Sequence, residues 1–146
     1  MTGHYENFGI RFLYPENWSI AEEDASGWPR TVTLQNPSAA CWSLHVYSPP
    51  RKPLELTTTV LETMRGEYED FESQEATDVM GDIEIHGFDM DFYCLDMVVE
   101  ARVRGVTVGE ATYLFFYQAE SQEFTKLDQV FRAMALSTLQ NVAAVP

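Results

Sequence analysis

Three histidines, two cysteines and two aspartates spaced two residues apart are the side chains whose types and spacing would do chemistry in this chain. His4, His45 and His86 are its only histidines. A zinc site needs three or four ligands, commonly at short spacing on one element. The sequence contains no His-x-His, His-Glu-x-x-His or Cys-x-x-Cys. A metal would require His45 and His86 to meet in space beside a carboxylate, so no metal is expected and the histidines are read as lying on sheet surfaces. Cys41 and Cys94 each sit in an apolar run and are expected as buried free thiols, because cysteine packs as a small hydrophobe. A disulfide would need their two strands to be neighbours.

Asp89 and Asp91 point to one side of a strand, about 6.5–7 Å apart by strand rise, a separation that suits paired-carboxylate chemistry. Gly87 just before them would allow a bulge that changes their facing. Solvated charges on an exposed strand end are the favoured reading. Asp96 lies among Cys94, Leu95, Met97 and Val98. It is expected to be partly buried and paired with Arg102, Arg104 or Arg132. No Gly-x-Ser-x-Gly elbow and no glycine-rich phosphate loop is present, so neither a catalytic residue nor a cofactor is assigned.

Trp18, Trp28 and Trp42, with Tyr14 and Tyr47, would either line a groove for a partner or fill the core. Trp28, between Gly27 and Pro29, is the one least explained by a core. Next to it Glu22, Glu23 and Asp24 open a polar loop tip. The candidate partner-contact set is therefore Tyr14, Trp18, Trp28, Glu22, Glu23 and Asp24.

The elements that must position these residues centre on two apolar runs, 83–99 and 107–118, rich in aromatic and β-branched residues. They read as two neighbouring antiparallel strands with Arg104-Gly105 as the breaker between them. Alternation at Phe8, Ile10 and Phe12 predicts a first strand, and Tyr14-Pro15-Glu16-Asn17 a turn. Short strands follow over 18–21, 30–35 and 40–47, with a turn at Asn36-Pro37-Ser38. Residues 40–47 place Trp42, Leu44 and Val46 on one face and Cys41, Ser43, His45 and Tyr47 on the other, which suggests a sheet covered on both sides. After the proline-rich link 48–53, Val60, Leu61, Met64, Tyr68 and Phe71 mark the buried stripe of a helix over 54–71. Residues 72–80 read as a charged edge strand. The last helix is expected to start at Ser121 as its cap and to bury Phe124, Leu127, Phe131 and Met134, with 140–146 fraying. These elements predict an α+β class: one domain over 1–146, a mostly antiparallel sheet packed with helices.

The net charge is −14, and Lys52 and Lys126 are the only lysines. Such a surface repels phosphate backbones and anionic membranes. It reads as a self-repelling soluble surface, or as a docking face for a basic protein partner. No apolar stretch reaches the roughly 18 residues of a membrane helix, and the start MTGHYENFGIRF lacks the layout of a secretory signal, so cytoplasmic location is the default expectation.

The stretch Gly9-Ile10-Arg11-Phe12-Leu13-Tyr14-Pro15-Glu16-Asn17-Trp18 resembles the opening of PsbP/Mog-type domains, including the DcrB-like group, in which a short strand, a Tyr-Pro-Glu-x-Trp turn and a second strand begin the fold. Phe131, Met134 and Ser137 resemble the close of that family's last helix, and the order of strands and helices between also matches. Members include an extrinsic photosystem subunit, a nuclear-import factor that binds the GTPase Ran, and bacterial proteins tied to envelopes or secretion. The resemblance implies a PsbP/Mog-like fold and a non-catalytic accessory or adaptor domain that binds another protein. Two rivals are kept. One is a small-molecule-binding protein or hydrolase with a pocket around Asp89, Asp91, His45 or His86. The other is self-assembly through an exposed strand edge.

Overall fold

Residues 2–7, 9–23 and 27–143 are described by the computed structural model. In chain order the elements are β1 (Thr2–Asn7), β2 (Ile10–Pro15), β3 (Ser19–Glu22), β4 (Arg30–Gln35), β5 (Cys41–Tyr47), α1 (Pro53–Glu67), β6 (Glu69–Met80), β7 (Ile83–Cys94), β8 (Met97–Val108), β9 (Ala111–Glu120) and α2 (Ser121–Ala143). Seven strands form one sheet in the order β3-β4-β5-β9-β8-β7-β6, antiparallel throughout. The last strand, β9, thus lies between β5 and β8. It joins the strands before α1 to those after it.

The expected central pair is a set of three. The run 83–99 breaks at Leu95-Asp96, where Cys94 pairs with Met97 across a two-residue turn. Both turn residues have positive φ, +51° and +63°, the geometry of a type I′ hairpin. Apolar residues continue on both sides and no glycine or proline marks the turn, so the pattern alone reads through it. Arg104-Gly105 is no breaker but sits inside β8. Gly105 is there because α1 approaches closely: a Cβ at this position would lie 3.2 Å from Pro53 Cβ and 3.3 Å from Thr57 Cγ2.

Not every early strand joins the large sheet. β1 was not marked by alternation. It pairs with β2 as a separate hairpin, and this hairpin is tied to α2 by Leu13 N–H to Ser137 Oγ at 2.9 Å and Asn141 Nδ2 to the Arg11 carbonyl at 3.1 Å. Phe8, assigned to the first strand, lies outside the described residues. α1 ends at Glu67 rather than at residue 71, yet Tyr68 and Phe71 still serve the same core from the chain beyond it. Both stack on Phe92, with centroids 4.2 and 6.2 Å away. At the start of α2 the cap is Glu120, whose Oε2 accepts the amides of Gln122 and Glu123. Ser121 instead donates to Glu100 Oε2 at 2.8 Å. Of the tail 140–146 that the sequence predicts to fray, residues 140–143 continue α2, and 144–146 lie outside the described residues.

Each face of the sheet has its own core. α2 and the β1–β2 hairpin cover one face, over Phe12, Trp42, Leu44, Phe115 and Phe131. α1 covers the other, over Met90, Phe92, Val103 and Leu114. The chain is a single α+β domain with a mostly antiparallel sheet and two helices.

Candidate functional site

On the face that carries α2, strands β6, β7 and β8 present three rows of side chains in register. The innermost row sets Gly87 opposite Arg104, with Asp78 from β6 close by. Gly87 leaves no room for a side chain: a Cβ there would meet the Val103 carbonyl oxygen at 1.8 Å. Arg104 is 3% exposed. Its Nε donates to Asp78 Oδ2 at 2.7 Å, its Nη1 to the carbonyls of Phe88 and Val103 at 3.0 Å, and its Nη2 to Asp89. Burial pulls its pKa down, but the bond to Asp89 and the charges of Asp89 and Asp78 outweigh it and leave it above the usual value. Arg132 reaches down from α2 to the other oxygen of Asp78 at 3.2 Å.

The second row pairs Gln74, Asp89 and Arg102. Arg102 Nε lies 3.1 Å from Asp89, its Nη2 lies 3.3 Å from Glu100, and its guanidinium stacks 4.5 Å over the Phe124 ring of α2. The outer row is Glu72, Asp91 and Glu100, three carboxylates side by side across three strands. Glu100 is compensated by Arg102 and Ser121. Among the described residues no ion pair reaches Glu72 or Asp91. Burial, then Glu100, raises the Asp91 pKa, partly offset by Arg102, with Glu72 and Asp89 adding to the rise. A cleft of about 440 Å³ opens here, lined by Asp70, Glu72, Asp91, Phe92, Tyr93, Val98, Glu100 and Ser121.

Beyond the outer row stands the tip of the β7–β8 hairpin. Tyr93 pairs with Val98 on the same face as the carboxylates. Tyr93, Leu95, Met97 and Val98 are 50, 86, 47 and 39% exposed. They form a run of apolar side chains around one turn.

Asp89 and Asp91 share a face, as their spacing predicts. Asp89, however, is no solvated charge, because two guanidiniums hold it. The expectation for Asp96 is overturned. It is an exposed turn residue, and its three expected partners serve Asp78, Asp89 and Glu100 instead. A pocket shared by Asp89, Asp91, His45 and His86 does not form, because the register puts both aspartates on the α2 face and both histidines on the α1 face. His45 lies between Thr31 Oγ1 and Ser43 Oγ, each at 3.1 Å; burial lowers its pKa, against a rise from Glu23. His86 is exposed, with Nδ1 2.9 Å from Thr77 Oγ1. Cys41 and Cys94 are free and half-buried rather than fully buried, on strands separated by β9 and β8. Among the described residues no group of three or more His, Cys, Asp or Glu is placed to hold a metal, and no helix is long and apolar enough to cross a membrane.

The six candidate contact residues are dispersed. Trp18 is buried, edge-on to Phe131 at 5.9 Å, so its ring is spent on the core. Tyr14 packs edge-on against Phe12 at 6.3 Å in the β1–β2 hairpin. Trp28 is 48% exposed with the Arg30 guanidinium 4.3 Å over its ring. Glu22 accepts from Asn7 Nδ2 at 2.9 Å, and burial, with Glu22 nearby, pushes Tyr5 up to about 12. Glu23 is exposed, and Asp24 lies outside the described residues. The hairpin tip was missed. Its signal was there in Tyr93-Cys-Leu-Asp-Met-Val98, too apolar for a turn and too polar at Asp96 for a buried strand.

Among solved structures the chain is similar to cyanobacterial PsbP (CyanoP) from Synechocystis, with 14% identity over 93% of this chain and 90% of that one and a TM-score of 0.60. It is also similar to a Bacteroides thetaiotaomicron protein, with 11% identity, a TM-score of 0.59 and coverage of 91% of this chain and 48% of that one. A Pseudomonas aeruginosa protein of unknown function, PA94, matches at 10% identity over 93% and 94% of the two chains, with a TM-score of 0.51. No family model matches the sequence, and no curated protein does. At these identities the likeness concerns the fold, which is PsbP-like.

Proposed function

We propose that this PsbP-like domain is a non-catalytic accessory protein that works by binding another protein. The observation that carries the reading is the outer end of the β7–β8 hairpin, where Leu95 stands 86% exposed at the turn, with exposed Tyr93 and Val98 on the α2 face and exposed Met97, opposite Cys94, on the other. Clustered apolar side chains held in water are the mark of an interaction surface. The charged groups support the same reading, since Arg102, Arg104 and Arg132 with Asp78 and Asp89 are tied into ion pairs that brace β6, β7, β8 and α2. Trp28 with Glu22 and Glu23 is kept as a second contact region. The finer placement beside DcrB-like proteins rests on the Gly9–Trp18 motif and belongs to this proposal, as does cytoplasmic location. The test is photo-crosslinking of the full chain in the cells that make it. A discrete protein partner is expected; capture of none would overturn the reading.

A second reading, a small-ligand-binding domain, is favoured by one feature. A cleft of about 530 Å³ lies under the start of α1, lined by Pro53, Leu54, Thr57, Phe88, Gly105 and Val106 with His86, Glu75 and Glu84 among its polar residues. That volume is within the range of small-molecule sites. A ligand screen by thermal shift, repeated on Phe88→Ala, tests it: a hit whose shift persists unchanged in the variant places the ligand elsewhere.

A further inference from the structure

The geometry points to one occupant for the hairpin end: a cationic amphipathic segment of a partner protein, with an apolar side chain on the tip and a lysine or arginine across the carboxylate row behind it. This rests on the protein-binding reading and adds the partner's chemistry.

Register makes the two halves of the dock neighbours. Tyr93 and Val98 face each other, and one step inward on the same face Asp91 faces Glu100 on one side and Glu72 on the other. Two residues along a strand cover about 6.5–7 Å. That matches the separation of alternate residues in an extended partner, and it is near the roughly 5–6 Å between positions three or four apart on a helix. The 440 Å³ cleft runs between the two features and is lined by both.

Two of the row's three carboxylates, Glu72 and Asp91, have no ion pair among the described residues, while Glu100 is held by Arg102 and Ser121. Arg102 is held by Asp89 and Glu100, Arg104 by Asp78 and Asp89, and Arg132 by Asp78. Like charges directly opposite each other in a sheet are unfavourable, and an incoming ammonium or guanidinium relieves that repulsion. The apolar half also stands in water, Leu95 most of all. Leu95 takes a left-handed backbone, where glycine or asparagine is easier, and leaves its side chain in water.

Other occupants fit less well. A nucleic acid or an anionic membrane meets the carboxylates with like charge. A second copy would bring two acidic rows together. The described residues offer no metal site here.

The test uses the full chain and three synthetic probes: a short Lys/Leu amphipathic peptide, the same peptide with each lysine replaced by glutamate, and an oligolysine of equal charge. Binding is read by calorimetry and by amide chemical shifts. The amphipathic peptide is expected to bind, with shifts at residues 70–72 and 91–100 and affinity that falls as salt rises. The glutamate peptide is expected not to bind, and oligolysine to bind about tenfold more weakly, as for loss of one anchor contact. Leu95→Ser and the double variant Glu72→Gln/Asp91→Asn alter exposed side chains and should keep the melting temperature. Each should weaken the amphipathic peptide by about five- to tenfold. Equal binding of oligolysine, shifts centred on the Trp28 loop, or no binding of any probe would overturn the inference. A photo-crosslinker at position 28 that captures a partner, while one at position 95 captures none, sinks this inference and leaves protein binding standing. Silence at both positions sinks both.

Discussion

Arg104 shows how much a single buried charge can hold. Its guanidinium gives four of its N–H groups to two carboxylates and two carbonyls, and its planar fork suits that arrangement where a lysine's point charge does not. Arg104→Met leaves Asp78 and Asp89 partly buried without their main cation. A loss of about 3–5 kcal/mol in urea unfolding is expected, and Arg104→Lys should recover only part of it. Stability unchanged in the Met variant would show that water or Arg102 and Arg132 carry the two acids. His45 gives a pH prediction. Burial depresses its folded pKa below the ordinary 6.5, so the folded state favours the neutral ring. Its contribution is complete above the unfolded pKa and is lost as pH falls through the depressed folded one. His45→Gln should therefore flatten the fall in melting temperature that wild type shows as pH drops below about 6.5; parallel acid limbs for the two proteins would contradict it. At this scale the sequence was half legible. The Asp89–Asp91 spacing and the need of an acid for Arg102, Arg104 and Arg132 could both be read. Which acid met which arginine could not, since the answer depends on where the chain turns between residues 94 and 97.

That turn is the element on which most of the misreading hangs. Gly81-Asp82 and Gly109-Glu110 close their hairpins with a glycine at positive φ, and glycine is a readable sign. Leu95-Asp96 closes its hairpin with the same two-residue span and no glycine, so β7 and β8 look like one long strand and Arg104-Gly105 takes the blame for the break. Placing two L-residues in the left-handed region costs about 1–2 kcal/mol each. The double variant Leu95→Asn/Asp96→Gly, which supplies a type I′ pair, should raise stability by about 1 kcal/mol or more without moving the register. Chemical denaturation checks the gain and amide exchange checks the register. A destabilised double variant would mean that the leucine side chain makes contacts that stabilise the fold. Should the variant be more stable yet bind the amphipathic peptide less well, the turn would be a place where stability and recognition pull in opposite directions. The helices were easier. Phe124, Phe131 and Met134 are buried as their spacing predicts, because a 3.6-residue period is local, whereas the end of α1 depends on Tyr68 and Phe71 finding Phe92 from outside the helix.

At the scale of the whole molecule, the two-sided sheet was visible in residues 41–47, where Trp42, Leu44 and Val46 fill the α2 side while Ser43, His45 and Tyr47 face the other way. The strand order was not. Nothing local in 111–120 says that β9 pairs with both β5 and β8. That order leaves two open edges, β3 of 4 residues and β6 of 12. A long open edge invites pairing with another chain, and β6 answers with Glu69, Asp70, Glu72 and Glu75, all exposed, within a chain of net charge −14. Two copies meeting edge to edge along β6 would set these carboxylates against each other. The range of that repulsion shrinks from about 10 Å at 0.1 M salt to about 3 Å at 1 M. The double variant Glu72→Val/Glu75→Val removes the outer charges and adds β-branched side chains that favour strands. Light scattering should show wild type monomeric in low and high salt, and the variant self-associating, more so at high salt where the remaining acids are screened. A variant that stays monomeric at high protein concentration and high salt would show that twist or the neighbouring α1, rather than charge, protects the edge.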